Sequence, residues 1–298
     1  MNAVRLARTG IMDVIEHARR LDVAATELPA GADRYQWFRL PSDETGLKRF
    51  GFRLAPGGVH LSKTMMLAEL TALFNATAST DEIQKQVLEA NILGKRTGAA
   101  RRIALARLNT LYGVQGPNPL TAVLAKLWHR RVEGRPLLAL LCALAREPLL
   151  RDSADVVLPA APGMSVRAPD IAVKLVRKEP GRYSPKMLSS LARNCASTWT
   201  QSGHLAGKVN KRRSSPIATP ETAAYAALLG TLAGYGGPAL LASPWMRTLD
   251  RSDGELLNLL RAAEGMGLLR VRAGGGVIEI NVRRIMAENL GVPELADG

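Results

Sequence analysis

Acidic residues are scarce in this sequence: 26 Asp and Glu stand against 40 Lys and Arg, a formal net charge of +14. That deficit disfavours basic partners and favours a polyanion, with nucleic acid ahead of an anionic membrane surface. Cysteine occurs twice, as Cys142 and Cys195, too few for a disulfide framework or a zinc cluster. Both sit in apolar helical patterns, as buried thiols of a cytoplasmic protein would. The four histidines, His17, His60, His129 and His204, are scattered and form no H-E-x-x-H or Cys/His spacing, so no metal ligand set is expected. Long apolar runs are missing too. The most apolar stretch, Pro136 to Ala145, is far shorter than the ~18 residues of a membrane span and is flanked by arginines. The N-terminus carries Asp13 and Glu16 and lacks a secretory apolar core, so neither export nor a membrane is expected. There is no Gly-Lys-Ser/Thr phosphate loop, no G-x-G-x-x-G after a strand and no G-x-S-x-G nucleophile elbow. No catalytic residue, metal or cofactor is assigned.

With 298 residues and 47% hydrophobic content, the chain can bury the cores of two ordinary domains. The periodicity predicts a mainly α protein. We divide it into an N-terminal extension (1–58), a helical helix-turn-helix-like domain (59–150), a linker (151–165) and a C-terminal winged-helix-like domain with short β-hairpins (166–298). In the extension, Asn2 to Leu21 reads as a helix. Tyr35, Trp37, Phe38, Phe50 and Phe52 among Pro, Gly and charge then suggest short strands or an irregular lobe packed by aromatics.

Helical spacing becomes strong at SKTMMLAELTALF, with Ser62 as the expected N-cap. Ser79 and Glu82 stand three apart, as in a capping box, ahead of a helix expected over Thr80 to Ala90. A turn through Gly94 leads to Glu89–Tyr112, EANILGKRTGAARRIALARLNTLY, whose cations Lys95, Arg96, Arg101, Arg102 and Arg107 face the single acid Glu89. Thr97 is the expected cap, and Ala100, Ile103, Ala104, Leu108 and Leu111 form the expected inner stripe. Four of the five cations fall in the turn or the first part of the helix. Unpaired backbone N–H groups and the positive end of the helix dipole favour phosphate there. A basic third helix of a three-helix unit is how a helix-turn-helix meets DNA; a solvated basic face is the plainer alternative. Further helices at Leu120 to Arg131 and Leu137 to Leu149 complete this core, and Lys126, Arg130, Arg131 and Arg135 enlarge the basic surface around His129.

Arg151 to Gly163, rich in Asp, Ala and Pro, reads as interdomain linker. Beyond it, helices are expected over Pro169 to Arg177 and Pro185 to Gln201. The second is followed by SGHLAGKVNKRRSSP, where Lys208, Lys211, Arg212 and Arg213 suggest a basic wing, with a flexible loop as the alternative. ETAAYAALLGTLAGYG is core helix. Ser252 and Glu255 form a capping box, and LLRVRAGGGVIEINV alternates as two strands around Gly274 to Gly276, a second helix-plus-hairpin unit flanked by Arg270, Arg272, Arg283 and Arg284. Carboxylate pairings such as Asp170 with Lys174, or Asp250 with Asp253, could serve a metal-dependent nuclease, but helix capping and solvation explain these acids more simply.

Taken together, HLSKTMMLAEL at His60 to Leu70, NILGKRTGAARRIALARLNTLYG at Asn91 to Gly113, and the helix and hairpin from Ser252 to Val282 resemble the accessory protein A family of the BREX bacteriophage-exclusion systems. The segment through Gly58 is longer than that pattern. The resemblance implies a small, mainly helical, non-enzymatic protein that binds double-stranded DNA, with an N-terminal part similar to the antitermination factor NusB. On it, Arg101 and Arg102 enter a groove, Lys95 and Arg96 hold phosphate, and Lys208, Lys211, Arg212 and Arg213 grip the backbone as a wing, beside other phage-defence proteins as partners. An RNA binder of the antitermination type, and an assembly subunit whose basic face meets an acidic protein, are the rival expectations.

Overall fold

The computed structural model describes residues 37–38, 40, 44–55, 58–76, 80–274 and 277–296. The helix expected over Asn2 to Leu21, as well as Tyr35 and Ser79, lie outside them. The fold is mainly helical, with a few short antiparallel strand pairs. Two helices make its centre. Helix α6 (Arg135–Arg146) buries every residue from Leu137 to Ala145, and α10 (Pro220–Leu232) buries Glu221 through Gly230. Each lies against several others: α6 meets α4 (Gly98–Tyr112), α5 (Pro119–Trp128), α7 (Pro148–Val157) and α9 (Pro185–Gln201), while α10 meets α6, α5 and α13 (Asp253–Gly265). A helix apolar all round has to be enclosed in this way. The Tyr225 hydroxyl on α10 donates to the Leu120 carbonyl at 3.0 Å, so even the buried phenol has a partner.

The two halves therefore share one continuous core running from Phe38 to Leu295. The segment we read as a linker is helix through Val157, with Arg151, Asp152, Ser153 and Ala154 buried. Its acids are held from a distance in sequence: Asp152 pairs with Lys178, and Asp155 lies 2.9 Å from Lys174, both on α8 (Ala168–Lys178). Arg151 is enclosed because its guanidinium donates to the carbonyls of Leu144 at 2.6 Å and Ala145 at 3.1 Å, which terminate α6. Desolvation, partly offset by Asp152 and Glu147, lowers the Arg151 pKa to about 10.

The aromatic segment contains a short helix, α1 (Glu44–Phe50), where strands or irregular structure were expected. Phe38 and Phe52 pack edge-on against Trp245 at 4.8 and 5.7 Å between centroids, on α12 (Pro244–Arg247) of the C-terminal half. Ser62 is no N-cap, because α2 (Leu67–Ala76) begins five residues later. Tertiary bonds hold 62–66 out of the helix. The Met65 N–H donates to Thr198 Oγ1 at 3.0 Å, the Tyr112 hydroxyl donates to the Met65 carbonyl, and Met66 takes a positive φ of 51°. The local helical pattern is overridden by partners 47 and 133 positions away. At the C-terminal end local signals suffice. Ser252 and Glu255 form the capping box, with N–H to carboxylate at 2.9 Å and N–H to hydroxyl at 3.4 Å. Strands β3 (Arg270–Gly274) and β4 (Val277–Asn281) then pair from Arg270↔Asn281 to Gly274↔Val277. Helix α14 (Arg283–Leu290) follows and packs on α5.

Candidate nucleic-acid interface

Helices α2, α3 (Thr80–Leu88) and α4 form the expected three-helix unit, α3 packing on both its neighbours. Residues 89–97 separate α3 from α4, a longer connection than the ~3–4-residue turn of a compact helix-turn-helix. The loop is nonetheless fixed. Asn91 adopts φ 54° and its side chain accepts the Lys95 N–H at 2.9 Å, while its carbonyl accepts the Gly94 N–H at 2.8 Å. Asn tolerates this left-handed conformation better than most residues. Thr97 caps α4 through its hydroxyl, which accepts the Ala100 N–H at 3.1 Å.

The five cations of this stretch part company. Lys95 lies 3.0 Å from Glu69 on α2; burial alone would raise the Glu69 pKa, but the Lys95 hydrogen bond and charge outweigh it and the pKa is lowered. Arg101 donates to the Leu88 carbonyl at 2.7 Å, closing the C-terminus of α3, and its Nε is enclosed without a partner. Arg101 is thereby a structural residue and does not face outward as a groove-entering side chain would. Arg96 and Arg102 are exposed, Arg107 is half-buried, and none of the three has a hydrogen-bond or ion-pair partner among the described residues.

The inner stripe of α4 also differs from the expected one. Ala104, Leu105, Leu108, Leu111 and Tyr112 are buried, whereas Ile103 is 50% exposed. Apolar residues lie on both sides of this helix, so periodicity alone does not single out the buried face. Packing against α3 and α6 selected the one containing Leu105.

In the second basic segment, β1 (Leu205–Ala206) and β2 (Arg212–Arg213) form a small hairpin, extended by a bridge between Ser165 and Arg212. Gly207 turns the chain with φ 102°, and a side chain there would collide with the Asn210 carbonyl. Lys208 is exposed at the tip. Lys211 is spent on the hairpin itself: its ammonium donates to Thr200 Oγ1 at 2.8 Å and the Gly207 carbonyl at 3.2 Å, and desolvation lowers its pKa. Arg212 is exposed and donates to the Gly163 carbonyl at 3.0 Å. Arg213, expected to grip phosphate, is 4% exposed. Its guanidinium donates to the carbonyls of His204 and Ser214 and lies 3.1 Å from Asp250. It cannot reach an external anion.

Three of the four arginines around the second hairpin are engaged as well, and Arg270 is exposed without a partner among the described residues. Arg272 lies 3.6 Å from Glu279, Arg284 lies 2.9 Å from Glu288, and Arg283 donates to the Leu295 carbonyl beneath the Phe50 ring. The carboxylates considered for metal chemistry have partners of their own: Asp170 accepts from Arg167, Asp250 from Ser215 at 2.7 Å, and Asp253 pairs with Arg247 at 2.9 Å. Among the described residues no three His, Cys, Asp or Glu converge on a metal position. No single described helix is long and apolar enough to cross a membrane.

Neither a family model nor a curated protein matches the chain.

Proposed function

We propose that this chain is a non-enzymatic, cytoplasmic, double-stranded DNA-binding accessory protein of a bacterial phage-defence system of the BREX type, binding chiefly through phosphate contacts. One observation carries this reading. Helix α4 contains no acid and starts among Arg96 and Arg102, exposed and without a partner among the described residues, in a chain of net charge +14. Arg107, and Lys208 and Arg212 on the hairpin, add cations that remain accessible. The likeness of His60–Leu70, Asn91–Gly113 and Ser252–Val282 to the BREX accessory family supports the cellular role. Phosphate positioning by arginine, lysine and a helix N-terminus carries no sequence information by itself, so duplexes of any sequence should be bound.

A mobility-shift series over salt concentration tests it. Neutralising about five phosphates gives a slope of about −4.5 for log affinity against log salt; a flat response overturns the proposal. Arg96→Glu with Arg102→Glu should abolish the shift while circular dichroism stays unchanged. Competition with duplex RNA of equal length separates a DNA binder from an RNA binder, because A-form RNA hides its major groove. Co-purification of an acidic protein, with no duplex shifted at moderate salt, would instead identify an assembly subunit.

A further inference from the structure

Helix α4 carries an outward face that its own fold covers only in part. At ~100° per residue, Ala99, Ile103, Ala106, Arg107 and Thr110 fall within about 100° of one another, opposite the buried Ala104, Leu105, Leu108 and Leu111. Ala99 and Ala106 are exposed and Ile103 is half exposed. The C-terminal part of this face opens on a cavity of about 390 Å³, whose far wall is Arg53, Val59 and Ser62. The face thus presents aliphatic side chains between two arginines, Arg102 and Arg107, that have no partner among the described residues.

We infer that this face reads base edges in the major groove, with Ile103 and Ala106 against thymine methyl groups and Arg107 on guanine. The inference rests on the DNA-binding reading above and goes beyond it, since it assigns a sequence preference to a protein otherwise positioned by phosphates. The chemistry matches on each count. The thymine C5-methyl is the apolar feature of the major groove, and a guanidinium pairs with the O6 and N7 acceptors of guanine through two parallel N–H donors. The absence of any carboxylate on α4 removes the charge that would repel phosphates beside those bases.

The test is a selection from random duplexes by the full-length protein, followed by replacement of dT with dU in the selected duplex, which deletes only the methyl. Thymine beside guanine should be enriched, and each contacted methyl lost should weaken binding about fourfold, the equivalent of ~0.8 kcal/mol per buried methyl. Ile103→Ser should bind the dT and dU duplexes alike, with the salt slope of the wild type; the position is 50% exposed, and circular dichroism checks that the variant is folded. Arg107→Gln should relax the guanine preference. Duplex binding without enrichment and without a dT/dU difference overturns this inference and leaves the phosphate-binding proposal standing. No duplex binding at all overturns the DNA-binding proposal itself.

Discussion

Arg213 meets Asp250 at 3.1 Å from inside the protein, its side chain 2% exposed and the carboxylate 28%. The pair ties the base of the β1–β2 hairpin to the turn before α13, where Asp250 takes a φ of 57°. Removing Arg213 deletes this pair together with its bonds to the His204 and Ser214 carbonyls, at a cost of about 2–3 kcal/mol. Arg213→Ala should lower the urea midpoint accordingly, whereas Arg212→Ala next to it should stay within about 0.5 kcal/mol of wild type. Equal midpoints for the two variants would contradict this division of labour.

Arg101 and Arg102 are adjacent in sequence and opposite in role. Arg101→Ala deletes a charge-assisted bond to the Leu88 carbonyl, so a loss of about 2 kcal/mol of stability is expected. Arg102→Ala should leave the melting curve in place and weaken duplex binding, with a salt slope shallower by about 1. Thermal melts and filter binding on the two single variants check this; a stability loss confined to Arg102→Ala would reverse the assignment.

His204 sets a pH dependence. Its ring is fully buried, with Nε2 donating to the Thr248 carbonyl at 2.8 Å and Nδ1 facing Ser202 Oγ at 2.9 Å. Burial, with a smaller contribution from the Arg213 charge against the opposing Thr248 bond and Asp250, lowers its pKa to about 3. The folded state therefore holds a neutral imidazole where the unfolded chain protonates near 6.5. The unfolded state binds the extra proton, so this contribution is fully present above about pH 6.5 and falls as pH drops toward 3, by up to ~1.4 kcal/mol per pH unit. Urea midpoints measured from pH 7 to 5, above the range of most carboxylates, should decline in wild type and flatten in His204→Asn.

Gly58 is fixed by space. Its φ of 165° is ordinary extended backbone, but a methyl there would overlap the Glu147 carboxylate, whose Oε2 accepts the Val59 N–H at 2.9 Å. Gly58→Ala should cost about 1–3 kcal/mol through overpacking. Gly94→Ala meets no neighbouring atom and tests the left-handed backbone at φ 60° alone; it should cost about 1 kcal/mol. Calorimetry on both gives the order.

The sequence was most legible where structure is local. The Thr97 cap, the Ser252–Glu255 box and the pairing of β3 with β4 depend on residues close to one another in the chain, and each appears as the pattern implied. Misreadings arose where distant partners decide. The stretch 151–157 reads as part of a linker because the lysines that pair with its acids lie 19 and 26 residues away. Arg101 and Arg213 look like their neighbours in a basic run, and only the carbonyls that fold around them reveal that they are spent internally. Ile103 was placed inward because α4 offers apolar residues on two sides, and the choice belongs to α3 and α6.

The segment 62–66 is fastened by Thr198 and Tyr112, and His60 Nε2 lies 2.9 Å from that same Thr198 hydroxyl. During synthesis the first helices thus emerge well before the residue that locks their leading strand in place. His60 and Met65 stay unsealed until Thr198 has cleared the exit tunnel. A chain stopped short of α9 would leave the His60 ring and the Met65 N–H without their Thr198 partner.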